Sequence, residues 1–212
     1  MFSLIRNIRF HILLFSIALS LITYFLITLV IPQRPLQITW LTQAYALLAI
    51  TFLYFALLCG PFCYTFRGFP YRAQYLKARR AIGVSVFYFG LLHSLFAFFG
   101  KLGGFGGLGL LDNKYLLAIS LSFTALIILF LMAVTSFDFM IAKLTFTKWK
   151  MLHRFVYLAS VLVLIHALMV GTHFQDLSSP ISLILFVSVA FLLILEVRRI
   201  TSFIRRKFKK TK

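Results

Sequence analysis

Three histidines of this chain lie inside apolar segments, where side chains that bind metal ions or carry protons are unusual. His93 occurs in AIGVSVFYFGLLHSLFAFFG, and His153 and His166 occur in WKMLHRFVYLASVLVLIH. An imidazole without a partner is costly to place in hydrocarbon, so a histidine inside a membrane segment indicates a functional site by default. The three residues are therefore the first candidates for metal ligands.

The spacing of His153 and His166 indicates two levels of metal binding. Thirteen residues span roughly 20 Å along a helix, which is most of a bilayer core of roughly 30 Å. Axial ligands at two depths are what a transmembrane haem relay requires. On one ideal helix the two rings would lie roughly 140° apart around the axis, so they would face different flanks.

The composition is that of an integral membrane protein. Of the 212 residues, 62% are hydrophobic and 12% are charged, whereas a soluble domain carries about 25% charged residues. We expect residues 1–212 to form a single all-α transmembrane domain. The first apolar segment is too long for a signal peptide, so we expect it to be retained as the first helix. Apolar segments predict a bundle of six helices at about residues 10–31, 41–59, 81–100, 115–134, 151–170 and 181–197.

Basic residues are concentrated on one side of the predicted bundle. A net charge of +18 would indicate a nucleic-acid partner in a soluble protein, but here the charge follows the helix order. With the N-terminus in the cytoplasm, nineteen Lys and Arg residues fall inside and only Arg34, Lys101 and Lys114 fall outside. This positive-inside pattern predicts that both termini are cytoplasmic and that the basic C-terminal tail contacts anionic lipid.

His93 and His166 are predicted to lie at the same depth. Under this topology the third and fifth helices both run outward, with His93 thirteen residues beyond Arg80 and His166 sixteen beyond Lys150. The two rings could bind one haem iron in the outer half of the bilayer, with His153 near the inner boundary. The alternative is that His93 and His166 make interhelical hydrogen bonds and that His153 is an interfacial polar residue.

Two stretches of the sequence resemble a known family. They read ARRAIGVSVFYFGLLH at residues 78–93 and MAVTSFDFMIAKLTFTKWKMLHRFVYLASVLVLIH at residues 132–166. The paired arginines, the TS-x-D turn and the W-x-x-LHR-x-VYL run resemble the ferric-reductase-like transmembrane haem b family. Within that family, the chain is most similar to the haem-binding membrane subunit of bacterial protein-methionine-sulfoxide reductase systems.

The resemblance implies a cofactor, ligands and partners. It implies one or two b-type haems on His93, His153 and His166, although the position that would pair with His153 falls near Arg79, which cannot ligate iron. It also implies a bacterial inner-membrane protein with quinol or a cytoplasmic flavin reductase as donor. The acceptor would be a periplasmic reductase of the molybdopterin-dependent kind that repairs oxidised methionine.

Arg79, Arg80 and Arg154 are candidate contacts of the same cofactors. Planar guanidinium groups bind carboxylates and phosphates through two parallel hydrogen bonds. These residues could therefore hold haem propionates, an FMN phosphate or a quinone head group. The positive-inside distribution explains the same three residues without any ligand, so both interpretations stay open.

Two further histidines and two cysteines carry weaker signals. His11 could complete an inner pair with His153, and His173 could contact a metal or a partner. Their positions at a helix start and in a loop favour roles as interfacial or solvated polar residues. Cys59 and Cys63 form C-x3-C, which is not the redox C-x-x-C motif, so we expect free thiols.

We expect an electron-transfer subunit of an oxidoreductase system rather than a complete enzyme. The connecting segments are too short for a flavin- or nucleotide-binding domain, which needs about a hundred residues, so the donor must be a separate molecule. GFGGLG at residues 104–109 follows no strand, and it therefore predicts a flexible docking loop rather than a dinucleotide site. The alternatives are a free-standing ferric or metal-ion reductase and a haem-free transporter or scaffold, which would require intramembrane acids or broken helices.

The predicted orientation can be tested by labelling. Cysteines introduced at Gly106 and Ser178 should react with an impermeant thiol reagent in intact cells, because both positions are expected outside, whereas one at Ser202 should not. The parent chain, with Cys59 and Cys63 alone, is the control. The reverse labelling pattern would invert the electron path.

Overall fold

The computed structural model describes residues 7–174 and 179–210, and the regular elements in these ranges are all helices. The α-helices are α1 (Ile8–Val30), α2 (Arg34–Thr65), α3 (Arg72–Leu95), α4 (Asn113–Val134), α5 (Asp138–Leu144), α6 (Phe146–His153), α7 (Val156–Val170) and α8 (Pro180–Lys210). A π-helix (Phe96–Lys101) continues α3, and a 3-10 helix (Gly104–Leu110) follows. The labelling position Ser178 lies outside the described residues.

Six segments in the described ranges are long and apolar enough to cross a membrane, which confirms the predicted number. They are α1, α2, α3 with its π-helix, α4, α6 with α7, and most of α8. Their outward surfaces carry large exposed apolar side chains, of which Leu29 is 80% exposed. Such a surface is compatible with lipid tails, which are as apolar as the side chains themselves.

Helices α2 and α3 extend beyond their predicted ends, and the predicted basic loop 60–80 shrinks to the segment between Thr65 and Arg72. Pro61, at the predicted end of α2, lies inside the helix. Within a membrane bundle, neighbouring groups compensate for the hydrogen bond that a proline removes. At the end of α2, Arg72 Nε donates to the Cys63 carbonyl at 2.9 Å, which satisfies a carbonyl that the helix end leaves free.

Helices α2, α3, α4 and α7 share an apolar core. Alanines in this core allow the helix backbones to approach closely, as is typical of helix pairs in membranes. Both α3 and α7 pack on α4, and through it the core positions the two helices that carry His93 and His166. Its buried residues are Leu53, Ala56, Val86, Ala125, Leu129, Val156 and Ala159.

Buried hydroxyl groups hold α1 on this core. Ser16 Oγ donates to Ser85 Oγ at 2.8 Å, and Ser20 Oγ lies 2.6 Å from the Tyr88 hydroxyl. Tyr45 on α2 donates to the Ser20 carbonyl at 3.0 Å. In an apolar surrounding such hydrogen bonds contribute to helix association because the alternative is an unpaired polar group.

The fifth predicted helix is two helices, which corrects the expectation that His153 and His166 share one. Helix α6 ends at His153, and α7 begins at Val156. In the turn between them, the N–H groups of Arg154 and Phe155 donate to carbonyls three residues earlier, at 3.1 and 3.0 Å. This tighter turn holds fewer residues than an α-helical turn, so the angle between the two rings is not that of one ideal helix.

A π-helix ends the third membrane segment. The Leu102 N–H donates to the Ala97 carbonyl, five residues earlier, at 3.1 Å, which is the π-helical pattern. A Cβ built on Gly100 would lie 2.5 Å from Ile38 Cγ2 on α2. Glycine therefore lets this wide turn pack against α2, and the packing sets the direction in which Lys101 leaves the helix.

Gly100→Ala should destabilise the protein by about 1–3 kcal/mol, because the added methyl group overpacks the contact with Ile38. Thermal unfolding in detergent micelles measures the change. Gly106→Ala is the matched control, since a Cβ there meets nothing within 4 Å. Adding Ile38→Ala should partly restore the Gly100 variant. Equal unfolding temperatures for the two glycine variants would contradict the close approach.

Candidate functional site

Two of the predicted ligands, His93 on α3 and His166 on α7, lie next to each other inside the bundle, with their rings in an edge-on arrangement. Their ring centroids are 6.2 Å apart, and the ring planes are inclined by 77°. Both rings line a cavity of about 390 Å³, which we call the His-pair cavity. The structure thus brings together the two histidines that sequence spacing predicts at one depth.

Each ring is oriented by a backbone carbonyl of a neighbouring helix. His93 Nδ1 lies 2.9 Å from the Thr42 oxygen on α2, and His166 Nδ1 lies 2.9 Å from the Ala118 oxygen on α4. A carbonyl oxygen only accepts hydrogen bonds, so both Nδ1 atoms carry a proton and donate it. In the neutral rings this leaves the Nε2 lone pairs for a metal, and such outer hydrogen bonds typically orient ligating histidines.

The distance between the rings suits two ligands on one metal ion. With a nitrogen–metal bond of about 2 Å and a ring nitrogen about 1 Å from its centroid, two opposed rings have centroids about 6 Å apart. The observed 6.2 Å agrees with this spacing. The residues therefore fit a flat cofactor whose metal takes two histidines, as haem b does. Small residues leave room between the helices, namely Ala46, Ala49, Gly90, Ala97, Ala125 and Ala167.

The His-pair cavity also has polar lining residues. Gln43 Nε2 donates to Thr172 Oγ1 at 3.0 Å, and both residues line the cavity together with Lys101 and His173. Among the described lining residues none is acidic. The cavity therefore combines apolar walls with a cation and hydrogen-bonding groups.

A second cavity, of about 910 Å³, contains His153, and we call it the basic cavity. Leu53, Val86 and Leu129 line both cavities, so a layer of apolar side chains lies between them. Five cationic residues surround His153 in the basic cavity, namely Arg79, Arg80, Lys150, Arg154 and Arg199. The predicted arginines thus lie at the level of His153 and not at that of the histidine pair.

His153 is held differently from the other two histidines. Its ring lies on that of Trp149 with centroids 4.3 Å apart, and its Nε2 is 3.3 Å from Thr135 Oγ1. The Thr135 hydroxyl donates to the Leu131 carbonyl at 2.7 Å, so toward His153 it acts as the acceptor. His153 therefore carries its proton on Nε2, and that atom would have to release Thr135 before binding a metal.

The basic cavity holds more positive charge than its acids balance. Arg199 pairs with Glu196 and also donates to the Tyr157 hydroxyl at 3.1 Å. In the part of the chain that the structure describes, Arg79, Lys150 and Arg154 have no acidic partner within ion-pair distance. This surplus favours a ligand with carboxylate or phosphate groups.

Glycine brings two of these guanidinium groups close together. A Cβ built on Gly60 would lie 2.5 Å from Arg199 Nη1 and 3.9 Å from Arg79 Nη1. Any larger residue would displace Arg199 from this position. Arg79 is further fixed by its Nε, which donates to the Ala56 carbonyl at 3.1 Å.

Arg80 is held by an ion-pair cluster at the edge of the basic cavity. Its Nη1 lies 2.6 Å from Asp138 Oδ1, and Arg9 Nη1 on α1 lies 3.2 Å from Asp138 Oδ2. The Arg80 guanidinium, together with that of Arg9, holds the pKa of the Asp138 carboxyl below its usual range. Asp138 thus ties α1 to α3 and orients Arg80.

Sequence comparison identifies the family of this chain. The family described as ferric reductase like transmembrane component matches residues 42–164, which is more than half of the chain. The chain belongs to this family. No similar protein was found among curated proteins or among solved structures. Membership, with the six apolar helices, makes it a multi-pass membrane protein, and the family suggests a role in membrane electron transfer.

Six site residues were predicted in this ferric-reductase-like protein, and the matched segment includes five of them. These are His93 and the four that line the basic cavity. The matched segment ends two residues before His166, and α1 and α8 lie outside it. Sequence reasoning missed further residues that line the two cavities, namely Gln43 on α2, Lys101 at the end of the π-helix, Thr172 after α7, and Glu196 and Arg199 on α8. For Glu196, the one signal was an acid inside an apolar segment.

Asp138→Asn should remove part of the acid sensitivity of folding. The folded-state pKa of Asp138 is lowered, so its ion pairs stabilise the protein above the ordinary value near 4 and lose this effect as pH falls through the lowered value. We expect less than about 1 kcal/mol, because the pairs are largely exposed and screened. Unfolding measured between about pH 6 and pH 2 tests this.

Asp112→Asn is the matched control, since Asp112 has no ion pair among the described residues. The parent chain and Asp112→Asn should lose more stability on acidification than Asp138→Asn. Identical pH profiles of all three proteins would contradict a stabilising role for the cluster.

Proposed function

We propose that this ferric-reductase-like protein is a haem b electron-transfer subunit, with His93 and His166 as the axial ligands of one haem. The observation that carries the proposal is the ring pair: two histidines from separate helices have ring centroids 6.2 Å apart, and each has its Nδ1 bound to a carbonyl. Interhelical hydrogen bonds alone would not require the two rings to meet.

The chain supplies the surroundings that this chemistry needs. Haem b, when bound, supplies reversible one-electron reduction of its iron. The Thr42 and Ala118 carbonyls each accept a hydrogen bond from Nδ1, which leaves Nε2 unprotonated in the neutral rings. The same hydrogen bonds fix the orientation of the two rings. The apolar walls exclude water and lower the local dielectric, which favours the less charged state of a bound redox centre.

The basic cavity is the proposed site of a second cofactor or of the electron donor. Arg79, Arg80 and Arg154 would bind carboxylate or phosphate groups, which a second haem or FMN carries, or the head group of a quinol. Among the described lining residues, His153 is the one histidine of this cavity. A second haem there would therefore receive a single histidine ligand from the cavity, whereas a flavin or a quinol requires none.

The proposed direction of electron flow follows from the charge distribution. The basic cavity lies toward the end of the bundle where basic residues are concentrated, which the positive-inside rule assigns to the cytoplasm. Quinol or a separate flavin reductase would donate there. The His-pair cavity would deliver electrons to a soluble acceptor on the other face, and the sequence resemblance favours a periplasmic methionine sulfoxide reductase.

His93→Ala and His166→Ala should each abolish the low-spin b-type spectrum of the His-pair cavity, because each removes one axial nitrogen from the same iron. Reduced-minus-oxidised absorption spectra and haem content per purified chain provide the measurement. His173→Ala is the matched control, since His173 lines the same cavity but is not in the ring pair. A six-coordinate spectrum with full haem content in either ligand variant would refute the pairing.

His153→Ala tests whether the basic cavity binds a second haem. If the basic cavity binds a second haem, this variant should lose part of the haem and keep the spectrum of the histidine pair. If the cavity binds FMN or quinol, haem content should stay constant while reduction by the donor slows. Equal haem loss in His93→Ala, His166→Ala and His153→Ala would contradict two separate levels.

A further inference from the structure

We propose that Lys101 binds a carboxylate group of the cofactor in the His-pair cavity and raises the reduction potential of its metal. This inference rests on the proposed function, because it assumes a redox cofactor between His93 and His166. It adds a cofactor-binding residue that the histidine spacing, the family match and the arginine cluster leave unassigned. The ligand class is a metal macrocycle with ionised carboxylates at its edge.

Lys101 lines the cavity at the end of a π-helix. Lys101 is the last residue of the π-helix (Phe96–Lys101), in which Gly100 packs under Ile38 of α2. A π-turn changes the angular position of the following residues relative to an α-helix, and such turns occur frequently at functional sites. Here the turn makes Lys101 a lining residue of the His-pair cavity, eight residues beyond His93.

The charge of Lys101 has no internal partner. No ion pair to Lys101 occurs in residues 7–174 and 179–206, and the described lining of the His-pair cavity contains no Asp or Glu. Lys101 is exposed, but it lines a cavity whose walls are largely apolar, so its attraction for a carboxylate inside that cavity is screened less than the attraction between two groups in open solvent. Burying a carboxylate there without a cation would be costly.

Lys101 differs from the other two basic residues on the same side of the predicted topology. Arg34 begins α2 and Lys114 lies in the first turn of α4, and neither lines the cavity. A lysine needed only to mark the membrane boundary could leave the helix in any direction. Lys101 instead lines the cavity, as do Gln43 and Thr172, which form a hydrogen bond with each other.

The predicted effect on the potential follows from electrostatics. A bound b-type haem loses one unit of positive charge at the metal when it is reduced. The Lys101 ammonium group disfavours the more positive oxidised state and also balances the nearby carboxylate, so both interactions raise the potential. Removing the charge should lower the potential without removing an axial ligand.

The test is a spectroscopic redox titration of the purified protein in detergent. Lys101→Met should shift the midpoint of the haem absorbance change to lower potential, and Lys101→Arg should titrate like the parent chain because it keeps the charge. Lys114→Met is the matched control: it removes the same charge from the same side but not from the cavity, and it should leave the midpoint unchanged.

Each outcome separates this inference from the proposed function. Equal midpoints for Lys101→Met and Lys114→Met, with haem bound in both, would overturn the role of Lys101 and leave the haem subunit intact. Haem loss in Lys101→Met but not in Lys101→Arg would support charge pairing, whereas loss in both would overturn it. A parent chain that purifies without haem from haem-replete cells would refute the proposed function itself, and the inference with it.

Discussion

A buried imidazole must donate its N–H to an acceptor, and inside a membrane bundle the available acceptors are mostly helix carbonyls. Each carbonyl has two lone pairs, so one can serve the helix ladder while the other accepts from a side chain. His93 of α3 uses this capacity on α2, and His166 of α7 uses it on α4. These four helices are the ones that share the apolar core. The packing of these four helices therefore also fixes the orientation of the two rings.

The two cavities are lined by different chemical groups and therefore suit different ligands. The His-pair cavity offers two neighbouring imidazoles, apolar walls and one cation, and it suits a planar group that carries its own metal. The basic cavity offers a single histidine whose Nε2 is already engaged by Thr135, an aromatic ring at Trp149 and a surplus of guanidinium groups. This lining favours a ligand that carries negative charge. The family match covers most of the residues of both sites, while α8 adds Glu196 and Arg199 to the second one alone.

The sequence predicts that His93 and His166 lie at one level, but it does not predict the orientation of their rings. Counting from Arg80 and Lys150 places His93 and His166 at one level because the rise per residue of a helix is constant, and the structure brings their rings together. Ring orientation was not predictable, because it depends on carbonyls 51 and 48 residues away in the chain. The two-residue turn before Val156 and the π-turn before Leu102 also have no clear sequence signal, and they decide where His153 and Lys101 point. Helix α2 runs beyond its predicted end and contains Pro61, because a membrane bundle compensates for a proline that would end a helix in water.

Leu53, Val86 and Leu129 form the partition between the two cavities, and this partition treats particles of different mass differently. An electron can tunnel through a thin layer of close-packed aliphatic side chains. A proton cannot cross it in the same way, because it needs a chain of donors and acceptors, and these three side chains provide none. A metal ion or a water molecule is excluded by packing alone. The same hydrocarbon that stabilises the bundle thus separates the two cavities, and its side chains offer no donor or acceptor for a proton.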